Sequence, residues 1–206
     1  MSSPSHLFES YKGVMKQVHP HIKLKAECNE YLTKMLIYIY QLTDKCEGNL
    51  ITILGTELGK HANSERVKAI TKAGANTRND TTFKHAGLIF TMENHQFLVG
   101  SCKNFSTKEI DIIGYMAVIE YLTAELTELG GSVAFNRAKS ITTCTHIKRA
   151  VDDDLELKEL FKNFNPATIQ LPNGNSSENF NFSIQPQINM DGLKTPIPKK
   201  INVIDI

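Results

Sequence analysis

Two long segments of the chain carry large apolar residues at helical spacing. In the second of them, the apolar positions recur three and four residues apart: Ile112, Tyr115, Met116, Ile119, Leu122, Leu126 and Leu129. Residues with this spacing share one face of a helix. Further apolar residues fall on other faces, so the pattern predicts a long helix that is buried on more than one side. The remaining face of this predicted helix carries acidic residues.

The first long segment repeats this pattern and predicts a helix from about Leu24 to Cys46. A short amphipathic helix precedes it over 7–18 and ends at His19-Pro20, because the residue before proline disfavours helical geometry. The β-branched run 50–54 predicts a brief strand. The segment 64–72 then predicts a surface helix.

The second half follows the same order after a polar stretch over 74–82. A short helix is predicted over 90–99, and Ser106-x-x-Glu109 has the pattern of a capping box at the start of the long helix. That helix is predicted to end near Gly130-Gly131 or one turn beyond. A brief strand over 139–143 and short helices through 150 and 152–161 complete the half. Each half is therefore predicted as short helix, loop, long helix, brief strand, short helix.

Composition narrows the classes of function. The net charge of +1 over 206 residues is not that of a strongly basic nucleic-acid binder. Cys28, Cys46, Cys102 and Cys144 are far apart and form no Cys-x-x-Cys pair, which favours reduced thiols in an intracellular protein. No metal-ligand spacing, Gly-rich phosphate loop or Ser-His-Asp arrangement is visible. We therefore expect no metal, no cofactor and no enzymatic activity.

Several residue strings resemble the core histones. In the first half, Lys16-Gln-Val-His-Pro20 and Glu57-Leu-Gly-Lys-His-Ala62 are similar to the 2B-type histone. In the second half, Ala86-Gly-Leu-Ile-Phe90, Glu120-Tyr-Leu-Thr-Ala-Glu125 and the segment 146–160 are similar to the 2A-type histone. The resemblance covers about 8–164. This order in one chain resembles the fused histone doublets of giant DNA viruses.

The resemblance implies an all-α fold of two tandem histone folds, each with short, long and short helices, that form an intramolecular handshake pair. The predicted divisions are a 2B-type fold over 1–73, a linker over 74–85, a 2A-type fold over 86–164 and an extended, docking-like tail over 165–206. That tail is rich in Pro, Asn, Gly and Ser with interleaved apolar residues, and we expect part of it to lie extended on a partner. In the family, the corresponding segment lies against the tetramer of the other two core histones.

In a handshake pair, the loop after the first helix of one unit meets the loop after the long helix of the other. Free backbone donors at such helix ends suit a phosphate. The candidate DNA-binding residues are Lys12, Lys16, Lys23, Lys25, Lys103, Ser106, Thr107, Lys108 and Lys139. For each lysine alone, a solvated surface side chain is an equally good interpretation.

The sequence also departs from the histone pattern. The stretch after the first long helix is about four helical turns shorter than in the 2B-type family. Two arginines of the 2A-type family are not matched in this chain. Ser140-Ile141 stands where the family has the arginine of its second loop, and Asn94 stands at or near the position of the arginine of its first helix. With fewer cationic contacts to the DNA backbone, we expect wrapping that is weaker and more sensitive to salt than that of cellular histones.

The acidic residues match the histone acidic patch, which in the family receives an arginine of a partner peptide. The matching residues are Glu57, Glu65, Glu120, Glu125, Glu128, Asp154 and Glu156, and Leu155 replaces one family acid. An ordinary solvated helix edge is the alternative. Adjacent carboxylates repel one another, so a concentrated patch favours a basic partner, and arginine pairs with carboxylates through two hydrogen bonds.

The resemblance implies a structural DNA-packaging protein, a pre-fused histone dimer that joins the other core histones to wrap double-stranded DNA without reading its sequence. Those histones are expected on a second viral doublet, and the expected location is the virion and the viral factory or host nucleus. The alternative is a histone-fold pair that acts as a transcription-factor or scaffold module without wrapping DNA.

Overall fold

The computed structural model describes residues 5–46, 49–74, 82–100, 102, 104–106 and 108–172. The helices in these ranges are α1 (Ser5–Val18), α2 (Cys28–Lys45), α3 (Leu50–Ile53), α4 (Glu57–Gly74), α5 (Thr82–Ala86), α6 (Met92–Val99), α7 (Glu109–Asn136), α8 (Cys144–Asp153) and α9 (Leu155–Leu160). Two strands of two residues each, β1 (Lys23–Leu24) and β2 (Ile141–Thr142), pair in parallel. The regular secondary structure of the described residues is therefore almost entirely helical, and the predicted all-α fold class is confirmed.

The two halves pack as a pair of short-long-short units. In the first unit α1 precedes the long helix α2, and α3 and α4 follow it; in the second α6, α7 and α8 take the corresponding places. The long helices meet through an aromatic contact, in which the rings of Tyr40 and Tyr115 lie 4.8 Å apart. The Tyr115 hydroxyl also donates to Thr43 Oγ1 at 3.2 Å. A single continuous core runs through both units.

Helix α7 is the centre of the structure. It packs against α1 and α4 of the first unit and against α8 of its own unit. Close approach on two sides depends on Gly130 and Gly131, which lie inside the helix. A Cβ atom at Gly130 would lie 2.9 Å from Ile147 Cγ1, and one at Gly131 would lie 2.2 Å from His19 Cδ2. The predicted end of this helix one turn beyond the glycines is confirmed, because α7 continues to Asn136.

Three local predictions are wrong. The predicted strand over 50–54 is helix α3, because the Asn49 side chain accepts a hydrogen bond from the Thr52 backbone N–H and caps a helical turn. Helix α2 begins at Cys28 and not near Leu24, because Lys23 and Leu24 pair with β2. The long helix α7 does not use a capping box at Ser106.

The Ser106 hydroxyl has a different role at the start of α7. It accepts a hydrogen bond from the Lys108 backbone N–H at 3.1 Å and donates to Asp111 Oδ2 at 2.7 Å. Helix α7 therefore begins at Glu109, with Lys108 as its N-terminal flanking residue. The predicted short helices on either side of Asp154 are confirmed, with Thr143 capping α8 and Asp154 capping α9.

The segments between and after the two units are described in part. Residues 75–81 of the predicted linker lie outside the described residues, and α5 occupies its end. In the predicted tail, Ile169 is buried in the common core and Leu171 packs against it. The first eight residues of that segment, 165–172, therefore belong to the folded body. Residues 173–206 lie outside the described range, so the extended-tail prediction is not addressed there.

The two long helices differ in length. Helix α2 has 18 residues and α7 has 28, a difference of ten residues. At about 1.5 Å per residue, this removes ~15 Å of helix from the first unit. The pseudo-symmetry of the pair is therefore broken at the end of the molecule where α2 stops.

Candidate nucleic-acid interface and acidic surface

The segments 23–25 and 139–142 meet at one end of the molecule, and we call them the loop pair. The Lys23 backbone N–H donates to the Ser140 carbonyl at 2.9 Å, and the Lys25 N–H donates to the Thr142 carbonyl at 2.9 Å. This is the meeting of the first unit's first loop with the second unit's second loop that the sequence predicted. The backbone donors of Lys23 and Lys25 are already used, so the predicted free donors are not present at these two residues.

The side chains of the loop pair carry the positive charge there. Lys23, Lys25 and Lys139 are all exposed. The Lys25 ammonium lies 2.6 Å from Glu27 Oε2, a surface ion pair that contributes little to stability and exchanges readily for another anion. Arg137, exposed just after α7, adds a cation that the sequence prediction missed. Arg137 lies two residues before Lys139, and this closeness in the sequence could have identified it as a candidate DNA-binding residue.

Two further candidates lie on α1. Lys16 is exposed in the last turn of the helix. Lys12 pairs with Glu9 at 2.7 Å and sits over the Phe8 ring, 5.2 Å from the ring centroid. The Lys12–Glu9 ion pair is exposed like that of Lys25 with Glu27, so Lys12 and Lys16 both remain candidates for an external phosphate.

The opposite end of the molecule is built differently. Asn104 donates its backbone N–H to Asp44 Oδ1 at 2.7 Å and its side-chain amide to the Asp44 carbonyl at 2.6 Å. Ser106 hydrogen-bonds Asp111, and Lys108 is exposed nearby. The candidates Lys103 and Thr107 lie outside the described residues. Two acids therefore occupy the loop region where the symmetric position would hold a second loop pair.

A cleft of about 610 Å³ lies at this end. Its walls come from α3 and α4 on one side and from the start of α7 on the other, with Ile51, Arg66, Phe105 and Tyr115 among the lining residues. In the described ranges, β1 and β2 are the paired strands, and they lie at the other end. The shortened α2 thus coincides with a cleft in place of a second paired-strand contact.

Acids from both halves of the chain meet on another surface, which we call the acidic surface. We give this name to the predicted acids Glu57, Glu65, Glu120, Glu125, Glu128, Asp154 and Glu156, of which Glu128 and Asp154 lie close enough to Glu125 to act on its charge. Glu65 and Glu120 line the same depression of about 200 Å³. Glu156 contacts the backbone of Glu57 at 3.0 Å. Around them lie the stacked rings of His61 and Tyr121, 6.5 Å apart.

Two of these acids, Glu120 and Glu156, accept backbone N–H groups from a distant segment of the chain. The first is Glu120, whose Oε2 accepts the backbone N–H groups of Ile89 at 2.7 Å and Phe90 at 2.8 Å, and so fixes the turn before α6. Burial raises the pKa of Glu120, although these two bonds act in the opposite direction. Sequence reasoning missed this role, because it depends on where the 88–90 turn lies relative to α7.

Glu156 joins the two units in a similar way. Its carboxylate accepts the backbone N–H groups of Glu57 and Leu58 at the start of α4, at 3.0 and 2.7 Å. These bonds lower the pKa of Glu156. A residue from the second unit therefore caps a helix of the first, as expected for a carboxylate at the positive end of a helix dipole.

The remaining acids differ in how far their charge is matched. Glu57 and Glu65 pair with Lys60 and Lys68 on the same helix, at 2.7 and 2.6 Å. Glu125 is half-buried, and burial raises the pKa of its carboxyl group, with the nearby negative charge of Glu128 adding to the effect.

Asp154 and its apolar neighbour Leu155 complete the outline of the acidic surface. Asp154 Oδ1 accepts the Leu157 backbone N–H, and Leu155, which stands where the family has an acid, is 83% exposed. The negative charge is therefore concentrated around Glu125 and Glu128.

Other kinds of site are not seen in the described part of the chain. There, no three His, Cys, Asp or Glu side chains are grouped so that they would hold a metal ion. Within the same ranges, no helix combines the length and apolarity needed to cross a membrane.

Two short-long-short helical units in one chain, paired through their long helices and through β1 and β2, define a doublet of histone folds. Comparison with known proteins agrees. The chain is 25% identical over 171 residues to a histone doublet of Melbournevirus in which a 2B-type histone is joined to a 2A-type histone. The match covers 71% of this chain and 62% of that protein. The resemblance to a viral fused histone doublet is thereby confirmed.

The chain also resembles a histone of a cellular organism. It is 31% identical over 129 residues to the Y form of the 2A-type histone of Tetrahymena thermophila, covering 60% of this chain and 32% of that protein. The chain therefore spans less than two thirds of the length of either relative. No protein-family model matches it.

Proposed function

We propose that this chain is a structural DNA-packaging protein of the histone type that has no catalytic role. The similarity to a histone doublet and to a histone supports a packaging role. The observation that carries the proposal is the loop pair, in which β1 and β2 bring exposed lysines of both units to one edge. Ammonium groups at this edge would hold the phosphate backbone, and such contacts position DNA without reading its sequence.

We propose that the two ends of the molecule contact DNA unequally. At the loop pair, Lys23, Lys25 and Lys139 are available to phosphates. At the opposite end, Asp44 and Asp111 engage the loop residues, and phosphates are repelled by carboxylates. One strong loop contact in place of two supports the expectation of weaker, more salt-sensitive DNA binding.

Salt titration tests the loop pair directly. The full chain, its Lys23→Ala variant and its Lys139→Ala variant would be titrated with a duplex of about 150 base pairs, the length that a histone octamer wraps. Each lost phosphate contact lowers the slope of log affinity against log salt by about 0.9. Lys158→Ala is the matched control, because Lys158 is an exposed lysine on α9. Slopes equal to that of the control for both variants would reject the loop pair as the DNA site.

We further propose that the doublet joins the other core histones, carried by a second viral doublet, in a nucleosome-like particle. Fusion makes pairing of the two folds intramolecular, so dilution does not separate them. Sedimentation of a mixture with the other core histones and DNA tests this proposal. One octameric, nuclease-resistant particle is expected. A small complex without protected DNA would favour a transcription-factor or scaffold module.

The acidic surface is proposed to dock an arginine-bearing peptide. Its support is the cluster around Glu125 and Glu128, where the described contacts include no lysine or arginine partner for either carboxylate. An arginine guanidinium pairs with a carboxylate through two parallel hydrogen bonds. The virion and the viral factory or host nucleus are the proposed locations, since packaging takes place where viral DNA is.

The peptide proposal is tested with two variants. A synthetic arginine-anchored peptide should bind the full chain and lose affinity for Glu125→Ala. Glu159→Ala is the control, because Glu159 lies on α9 and pairs with Lys162. Unchanged affinity in Glu125→Ala would reject the docking site while leaving the DNA proposal untouched.

A further inference from the structure

Two cysteine thiols from different histone folds meet beside the loop pair. Cys28 is the first residue of α2, and Cys144 is the first residue of α8. Their Sγ atoms lie 3.8 Å apart, although 116 positions separate them in the sequence. Cys28 is fully buried, with its sulfur 3.6 Å from the Thr142 carbonyl oxygen, whereas Cys144 is partly exposed.

The pairing of β1 with β2 holds the two thiols together. Each cysteine lies within a few residues of its strand, so the register that aligns Leu24 with Thr142 also brings the two helix starts together. The contact is thus fixed by backbone hydrogen bonds on both sides and does not depend on a flexible loop. Within the described residues, no metal-binding group of side chains accounts for two cysteines at this place.

We propose that Cys28 and Cys144 form a disulfide under oxidising conditions, which makes this contact a reversible modification site that joins the two histone folds covalently. A disulfide has an S–S distance of about 2.0 Å, so the sulfurs must approach by roughly 1.8 Å. Rotation of the Cys144 side chain about its Cα–Cβ bond moves the sulfur over a distance of this order. Neither the DNA nor the peptide proposal is needed for this step.

A peroxide is the oxidant that the proposal requires. The Cys144 thiolate attacks one peroxide oxygen, the O–O bond breaks, and the departing hydroxide takes up a proton to become water. The Cys28 sulfur then attacks the sulfenic acid on Cys144, so that the S–S bond forms and the S–O bond breaks. The hydroxyl leaves with the Cys28 proton as a second water. In total, two thiols and one hydrogen peroxide give one disulfide and two waters.

The environment sets the rate of this reaction. Burial raises the pKa of the Cys144 thiol, and burial also raises that of Cys28. Because the thiolate is the reacting form, oxidation is slow at neutral pH and accelerates as the pH rises. The pair is therefore a structural oxidation site and not a fast redox sensor.

The crosslink would restrict the unfolded chain strongly, because it closes a loop that includes most of both folds. Such a constraint raises the melting temperature by an amount on the order of 5–10 °C for a chain of this size. It also prevents the loop pair from opening, since the residues that follow β1 and β2 are joined.

The experiment uses the full chain with Cys46→Ser and Cys102→Ser, so that only the proposed pair remains. After treatment with hydrogen peroxide, digestion without reductant should release one linked peptide pair containing Cys28 and Cys144. Its mass should be two hydrogens below the sum of the reduced peptides. The melting temperature should rise and return after reduction. The same protein with Cys144→Ser in addition is the control, and neither change is expected in it.

Three results would overturn the proposal. The first is that both thiols still react with an alkylating reagent after prolonged peroxide treatment at alkaline pH, where the thiolates form. The second is a disulfide between two molecules, visible as a dimer on a non-reducing gel. The third is further oxidation of Cys144 to sulfinic acid without any crosslink.

Discussion

The Glu120 carboxylate is the clearest case in which the acidic surface has a structural function. Replacing Glu120 with alanine removes the acceptor of two backbone N–H groups, those of Ile89 and Phe90. Phe90 is fully buried and Ile89 is partly buried, so water satisfies the freed donors poorly. An unsatisfied buried donor costs about 1–3 kcal/mol. We therefore expect Glu120→Ala to lower the free energy of unfolding by about 2–4 kcal/mol.

A second substitution at this position separates the hydrogen bonds from the charge. Glu120→Gln retains an oxygen that accepts both N–H groups and removes a carboxylate whose ionisation is disfavoured by burial. Since the pKa of Glu120 is raised in the folded state, its ionisation costs stability above that pKa, and the cost disappears on acidification. Glu120→Gln should therefore stay within about 1 kcal/mol of the wild type at neutral pH, with the difference narrowing as the pH falls.

The measurement is urea unfolding followed by far-ultraviolet circular dichroism. Glu128→Ala is the matched control, because Glu128 is an exposed glutamate on the same helix and should change stability by no more than about 0.5 kcal/mol. Equal stability of Glu120→Ala and Glu128→Ala would refute the assignment of a structural role to Glu120. The assay also matters for peptide binding, because a loss of binding in Glu120→Ala would reflect a disturbed turn before α6.

Two further outcomes follow from the same geometry. Gly131→Ala places a methyl group 2.2 Å from His19 Cδ2 and should lower the free energy of unfolding in urea by about 1–3 kcal/mol. At Gly74 an added methyl group meets nothing within 4 Å, so Gly74→Ala should be neutral or stabilising. Equal effects of the two substitutions would contradict the close approach of α7 to His19. Because the pKa of Glu125 is raised, its carboxylate takes up a proton at a higher pH than an ordinary surface carboxylate does. Binding of an arginine peptide should therefore begin to weaken at that higher pH when the solution is acidified. Calorimetric titration across the acidic range checks this, and a Glu125→Gln protein with the same pH profile would exclude Glu125 as the responsive group.

The helices were predictable because their signals are local. Apolar spacing located both long helices, and the Thr143 and Asp154 caps were readable from residue type. The strand predicted over 50–54 is wrong because the capping side chain of Asn49 outweighs the preference of the β-branched residues for a strand. The end of α7 was found only approximately, since glycines that usually terminate a helix are retained here for close packing against Ile147 and His19.

The arrangement of the site residues depended on tertiary structure and could be predicted only through the family resemblance. The meeting of Lys23 with Ser140 follows from the handshake pairing, which no local pattern specifies. The internal hydrogen bonds of Glu120 and Glu156 were not predictable, because residue type does not show whether a carboxylate faces solvent or a backbone N–H. The contact between Cys28 and Cys144 was missed for the same reason, since 116 residues separate them.

The cap that Glu156 places on α4 has a consequence for synthesis on the ribosome. The backbone N–H of Glu57 donates to Glu156, which lies 99 positions further along the chain. Helix α4 packs most extensively against α7 of the second unit. The first half therefore emerges with an unfinished helix and an apolar surface that only later residues cover. A nascent chain of this kind would need protection from aggregation until the second unit has been translated. Proteolysis of stalled chains of increasing length would show this delay as resistance that appears only after the α9 segment has left the exit tunnel, whereas early resistance of the first 74 residues would contradict it.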